Sequence, residues 1–156
     1  MGHITISLPD AAATRALGAS IVTASPPGTL ILLRGPLGAG KTTLVEGAAQ
    51  ALRAGRTSSP TFVIAHRYAG GTMPISHLDL YRLEDQRDIE DLDLSAYLAA
   101  DGITLVEWPE RSSENWPNDR IEVELRLDGS AREATVTTLG TLESSVALSN
   151  IASATA

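Results

Sequence analysis

The run from Thr29 through Gly35-Pro36-Leu37-Gly38-Ala39-Gly40-Lys41-Thr42 constrains the fold more than any other part of the chain. Thr29 to Leu33 is a short continuous apolar stretch, the pattern of a parallel strand covered on both faces. The next eight residues satisfy the phosphate-loop pattern G-x-x-x-x-G-K-[ST] at every defined position. From Thr42 to Ala54, Leu44, Val45, Ala48, Ala49 and Leu52 fall on one helical face, and Gly55 supplies a C-terminal stop. Strand, glycine loop and helix therefore follow in the order that such a loop requires.

The loop carries its own chemistry. Successive N–H groups and the positive end of the helix form an anion nest, and glycines let backbone approach phosphate where a Cβ would block it. Lys41, the only lysine in the chain, reaches the β- and γ-phosphates, and the Thr42 hydroxyl ligates Mg²⁺. As a loop residue, Lys41 is expected to be exposed and to contribute little to the core. Guanine-specific proteins with this loop usually read the base through an Asn/Thr-Lys-x-Asp motif. The single lysine is already committed to phosphate, so elimination favours ATP.

A chain of 156 residues with 43% hydrophobic but only 4% aromatic residues supports one α/β domain with a core of Leu, Val, Ile and Ala. Without cysteine, disulfides, cysteine zinc sites and thiol catalysis are excluded. No apolar run approaches membrane-spanning length and no leader pattern opens the sequence, so a cytoplasmic protein is expected. The formal net charge of −7 argues against a broad phosphate-contacting surface, and any link to RNA is expected to be indirect.

Ile4 to Ser7 reads as a first strand, and Asp10 as the N-cap of a helix through Ile21. Phe62–Tyr68 and Ile75–Tyr81 read as strands of a hairpin around Gly70-Gly71, followed by a short helical region near 94–100. Ile103 to Val106 is a second buried-strand candidate. Ile121 to Leu127 alternates apolar with polar, turns at Asp128-Gly129 and returns through Ala134 to Thr138. The expected architecture is a single P-loop NTPase-like α/β domain over residues 1–140. Its sheet is mixed and mostly parallel, with flanking helices and a C-terminal antiparallel hairpin. Residues 141–156, rich in Ser and Ala, read as a loose tail.

A P-loop hydrolase needs a further acid near Mg²⁺, usually at the end of a neighbouring strand. Glu107 and Asp79 are both candidates, and spacing alone does not choose between them. Alternation would set His77, Asp79 and Tyr81 on one face. Ser58-Ser59-Pro60-Thr61-Phe62 lies where many such proteins place a segment that senses the γ-phosphate, although on sequence alone an ordinary Ser-Pro turn fits better. His66 and His77 lack metal-ligand spacing and read as structural or partner-facing. Trp108 fits either the core or a contact beside the nucleotide.

Gly35 to Thr43, Ser59-Pro60-Thr61-Phe62, His77-Leu78-Asp79-Leu80-Tyr81-Arg82-Leu83 and Val106-Glu107-Trp108-Pro109-Glu110, in this order, closely resemble the TsaE family of bacterial ATPases in tRNA threonylcarbamoyladenosine biosynthesis. The resemblance runs from about Leu8 to the hairpin at Arg132. It implies an ATPase that binds a TsaB-TsaD heterodimer and supports modification of the adenosine beside the anticodon, with tRNA contacted only through those partners. By motif it makes Gly38, Ala39, Gly40, Lys41, Thr42 and Thr43 the phosphate cradle, Thr42 and Glu107 Mg²⁺ ligands, and Asp79 a catalytic-site acid. Asp10 and Arg132 match positions around the nucleotide. Ser59, Thr61, His77, Tyr81, Arg82 and Trp108 fall in blocks expected to switch or to face partners. The family's usual GDLGAGKT reads GPLGAGKT here, so Pro36 removes one N–H and one acidic group.

Two other readings share the loop. A small-molecule kinase would need an acceptor pocket and a basic lid, for which Arg111 is the only nearby arginine. A nucleotide-dependent assembly factor would need binding without turnover.

Overall fold

The computed structural model describes residues 2–57, 65–82, 98, 100–112 and 116–155. In chain order the elements are β1 (Gly2–Leu8), α1 (Ala11–Ala24), β2 (Leu30–Arg34), α2 (Lys41–Ala51), β3 (Gly55–Thr57), β4 (Ala65–Ala69) and β5 (Ile75–Asp79). Then come β6 (Ile103–Glu107), β7 (Arg120–Asp128), β8 (Ala131–Leu139), α3 (Leu142–Ser145) and α4 (Leu148–Thr155). Short 3₁₀ turns occupy Leu80–Arg82 and Pro109–Arg111.

All the strands among the described residues join one eight-stranded sheet in the order β1-β8-β7-β2-β6-β5-β4-β3. β7, β2, β6 and β5 form its parallel centre, flanked by antiparallel pairs on both sides. The apolar runs of β2 and β6 are buried on both faces, as parallel strands under cover must be. β7 buries Ile121, Val123 and Leu125 and turns Glu124 and Arg126 to solvent, which matches its alternation. The mixed α/β architecture and the terminal hairpin are as expected. The pairing of β7 alongside β2 adds the hairpin directly to the parallel centre.

The larger core joins Ile31, Leu33, Leu105 and Val123 of the sheet to Leu17, Ile21, Leu44 and Val45 of α1 and α2. Leu30, Leu32, Leu78 and Val106 form a smaller cluster on the opposite face. α1 and α2 approach closely through a glycine on each. A Cβ on Gly18 would lie 2.0 Å from the Leu44 carbonyl oxygen, and one on Gly47 2.1 Å from that of Arg15. Asp10 caps α1 as expected, its carboxylate accepting from the Ala13 N–H at 2.8 Å.

Several expectations change. β5 stops at Asp79, and Tyr81 lies in a 3₁₀ turn, so alternation no longer sets its side chain. The stretch after Gly140 is not a loose tail. Leu142, Val146 and Ile151 are buried in the larger core, and α4 packs against α1 and β1. Leu148 and Ile151 stand one turn apart on α4, and the small Ser and Ala residues around them permit close packing. Ser59, Thr61 and the rest of the Ser59 to Phe62 segment lie outside the described residues, as does nearly all of the helical region expected near 94–100. Among the described residues no helix is long and apolar enough to cross a membrane.

Candidate functional site

Chain direction brings the chemistry to one edge of the sheet. β2 ends at Arg34 and enters the glycine loop, while Asp79 and Glu107 are the last residues of the parallel strands β5 and β6 and stand in register. β8 is antiparallel to β7, so its beginning, with Arg132, returns to the same edge. β1 is antiparallel to β8, and Leu8 pairs with Arg132 just before Asp10. Ligands of open α/β sheets bind at this carboxyl edge.

The loop is built to receive an anion. Gly35, Gly38 and Gly40 all have positive φ, and a Cβ at Gly38 would project into open space. Gly40 caps α2 without any side-chain hydrogen bond, and the first turn of α2 holds no acidic residue. No acidic side chain of the helix's own first turn therefore competes for its first N–H groups. A phosphate chain fits this cradle, and the donor set of Thr42 hydroxyl and strand-end carboxylates suits a hard cation such as Mg²⁺.

Lys41 departs from the exposed loop lysine expected above, being only 5% exposed. Its ammonium donates to the Gly35 carbonyl and, at 3.1 Å, to that of Pro36. It also sits 4.1 Å from the centre of the Trp108 ring, a cation–π contact. Burial lowers its pKa from the ordinary 10.5, and the negative charges of Glu107, Glu110 and Asp79 oppose that shift. Trp108 adopts the left-handed conformation, with φ of 58°, which is costly for a bulky residue and turns its ring over the loop. The Tyr81 ring stands 4.9 Å from that of Trp108 and is exposed at the mouth of the site. Arg82 ends the same 3₁₀ turn.

Glu107 is 3% exposed and faces two partners. The Thr42 hydroxyl donates to its Oε1 at 3.4 Å, and Oε2 lies 2.6 Å from His77 Nε2. His77, itself 5% exposed, is therefore not partner-facing; the strand turns it inward behind the acid. No local signal reveals this pairing, because it depends on β5 lying beside β6. Asp79 is half-buried and accepts the Tyr81 N–H at 3.1 Å. Lys41, Thr42, Asp79, Tyr81, Glu107 and Trp108 share a cavity of about 270 Å³ with the loop.

A second cavity of about 160 Å³ opens on the other side of the same glycines. Asp10, Thr14, Ser130 and Arg132 line it together with Gly38, Ala39, Gly40 and Thr43. The Arg132 guanidinium donates to the Gly38 carbonyl through Nη2 at 3.1 Å and Nε at 3.3 Å, tying the late hairpin to the loop. The residues expected around a nucleotide are thus brought together. Among the candidate site residues, Ser59 and Thr61 lie outside the described residues.

Residues 8–134 match the family described as threonylcarbamoyl adenosine biosynthesis protein TsaE. Over 129 residues the chain is 39% identical to the tRNA threonylcarbamoyladenosine biosynthesis protein TsaE of Bacillus subtilis, covering 81% of this chain and 80% of that one. It is 42% identical over 137 residues to the protein of the same name from Streptomyces coelicolor, covering 81% and 90%. The fold is similar to the crystal structure of Bacillus subtilis YdiB, with a TM-score of 0.75 at 29% identity over 90% of this chain and 88% of that one. The phosphate loop, the strand-end carboxylates and these matches lead to one conclusion: the chain belongs to the TsaE family of threonylcarbamoyl adenosine biosynthesis proteins.

Proposed function

We propose that the protein is a Mg²⁺-dependent ATP hydrolase that acts on a TsaB-TsaD heterodimer and supports threonylcarbamoyl modification of the adenosine beside the anticodon, meeting tRNA only through those partners. The observation that carries the reading is the placement of the Thr42 hydroxyl against the Glu107 carboxylate at the start of α2, beside Lys41. That is the pairing of loop hydroxyl and strand-end acid that a nucleotide-bound Mg²⁺ requires.

In this reading the loop amides and the uncapped start of α2 hold the β- and γ-phosphates. Lys41 exchanges its carbonyl partners for phosphate oxygens and balances their charge. Thr42 and Glu107 would hold a Mg²⁺ ion, which when bound would supply neutralisation of the negative charge on the transferring phosphate. Asp79, in register with Glu107, orients the attacking water. The cavity at Asp10 and Arg132 takes the nucleoside side of ATP. The kinase alternative draws no support from Arg111, whose guanidinium donates to the Tyr81 carbonyl at 3.2 Å.

The test is ATP consumption by the purified chain with and without TsaB-TsaD. Hydrolysis stimulated by the heterodimer is expected. Consumption that requires a small acceptor instead would favour a kinase, and partner binding without turnover would favour an assembly factor.

A further inference from the structure

His77 has no part in the function proposed above, yet it occupies an expensive position. Its imidazole lies in a strand whose neighbours Ile75 and Leu78 are fully buried, and Nδ1 is a buried atom that finds no hydrogen-bond partner among the described residues. A histidine kept only to fill the core would satisfy both nitrogens. Among the described residues the one hydrogen bond of the ring runs from Nε2 to Glu107 Oε2 at 2.6 Å.

We propose that His77 is a positioning residue that ties down Glu107 Oε2, so that Oε1 alone faces Thr42 and the cation held there. The proposal rests on the Mg²⁺-nucleotide reading. A carboxylate offers only lone pairs, so Nε2 carries the proton in this contact, and Nδ1 is the atom left unpaired. The opposite tautomer would set two acceptors against each other at 2.6 Å and bury an N–H without an acceptor. Restraint matters because Lys41 is near, with Glu107 the largest of the negative charges acting on it. Released from His77, Glu107 would be free to swing onto the ammonium, occupying the metal ligand and the phosphate clamp with each other. Ligating groups are commonly oriented from behind by such a hydrogen bond.

Affinity for a non-hydrolysable ATP analogue, measured in saturating Mg²⁺ and again in EDTA, tests this without relying on turnover. Mg²⁺ is expected to tighten binding to the wild type. In His77→Leu that tightening should shrink by about 10-fold or more, with affinity in EDTA unchanged. His77→Gln keeps an N–H donor near the Nε2 position and should recover most of the loss. If His77→Leu retains the wild-type ratio, or His77→Gln is as impaired as His77→Leu, the histidine is core filler and the proposal falls. If Mg²⁺ makes no difference to the wild type, the metal reading and the proposal fall together, which separates that failure from the first. A readout independent of folding in the variants is the ¹⁵N spectrum of the wild type without metal. A proton on Nε2 is expected, and a ring protonated on Nδ1 alone would overturn the proposal.

Discussion

At the scale of residues, the site places opposite demands on Lys41 and Glu107. The lysine is buried against its own loop and the Trp108 ring, and burial holds its pKa below 10.5. The unfolded chain titrates near that ordinary value. Between the two values the unfolded state binds more protons, so stability rises with pH there, while below the folded value the penalty is constant. Wild-type protein should therefore gain stability relative to Lys41→Met as pH is raised towards 10.5, read by urea unfolding of both proteins at several pH values. A difference that does not change with pH would mean that the ammonium is solvated as in the unfolded chain. Glu107→Gln keeps the shape and removes the charge. Mg²⁺-dependent hydrolysis should fall roughly 100-fold, with nucleotide affinity in EDTA close to wild type. Unchanged turnover would pass the metal role to Asp79. Although spacing alone did not choose between the two acids, Lys41 and Thr42 in the loop, and Glu107 and Asp79 at strand ends, were legible because these are local signals. The bond from His77 to Glu107 was not, because it spans 30 residues and depends on strand order. The Arg132 contact with the Gly38 carbonyl spans 94 residues, and only the family resemblance brought Arg132 to notice.

Elements behaved according to how much of their signal was local. β1, α1, β2, α2 and the β7–β8 hairpin follow from apolar periodicity, an N-cap aspartate and glycine turns, and each is found where those signals put it. The final helix escaped because Ser and Ala dilute the apolar pattern, leaving Leu148 and Ile151 as its main signal. Gly47 shows how context overrides propensity. Alanine in the interior of a helix is favoured over glycine by about 1 kcal/mol. Here the added methyl would meet the Arg15 carbonyl of α1, a backbone atom that cannot swing aside. Gly47→Ala should accordingly destabilise the protein by about 1–3 kcal/mol, lowering the melting temperature by roughly 2–4 °C for each kcal/mol. A rise in melting temperature would show that the two helices are less closely apposed than described. Because α2 starts at Lys41, separation of these helices should also disturb the loop, so nucleotide affinity in the same variant is worth measuring.

For the whole molecule, charge sets the terms of association. With a formal net charge of −7, the isolated protein should show no measurable tRNA binding at physiological salt in a filter or anisotropy assay. A tight, salt-sensitive complex would overturn the indirect-RNA reading. Strand order carries another consequence, for synthesis of the chain. The phosphate loop is complete soon after residue 42, but β2, which leads into it, is flanked by β6 and β7, and the guanidinium that grips the loop carbonyl comes from β8. A ribosome therefore exports the recognition motif long before it exports the strands that support it. During that interval β2 has neither neighbour and its Leu30 and Leu32 face lacks Leu78 and Val106, so the nascent chain depends on holding its N-terminal half apart from other chains until the last hairpin emerges. Loss of a few dozen C-terminal residues by a premature stop codon would leave the whole motif in place and a protein unable to assemble the site around it.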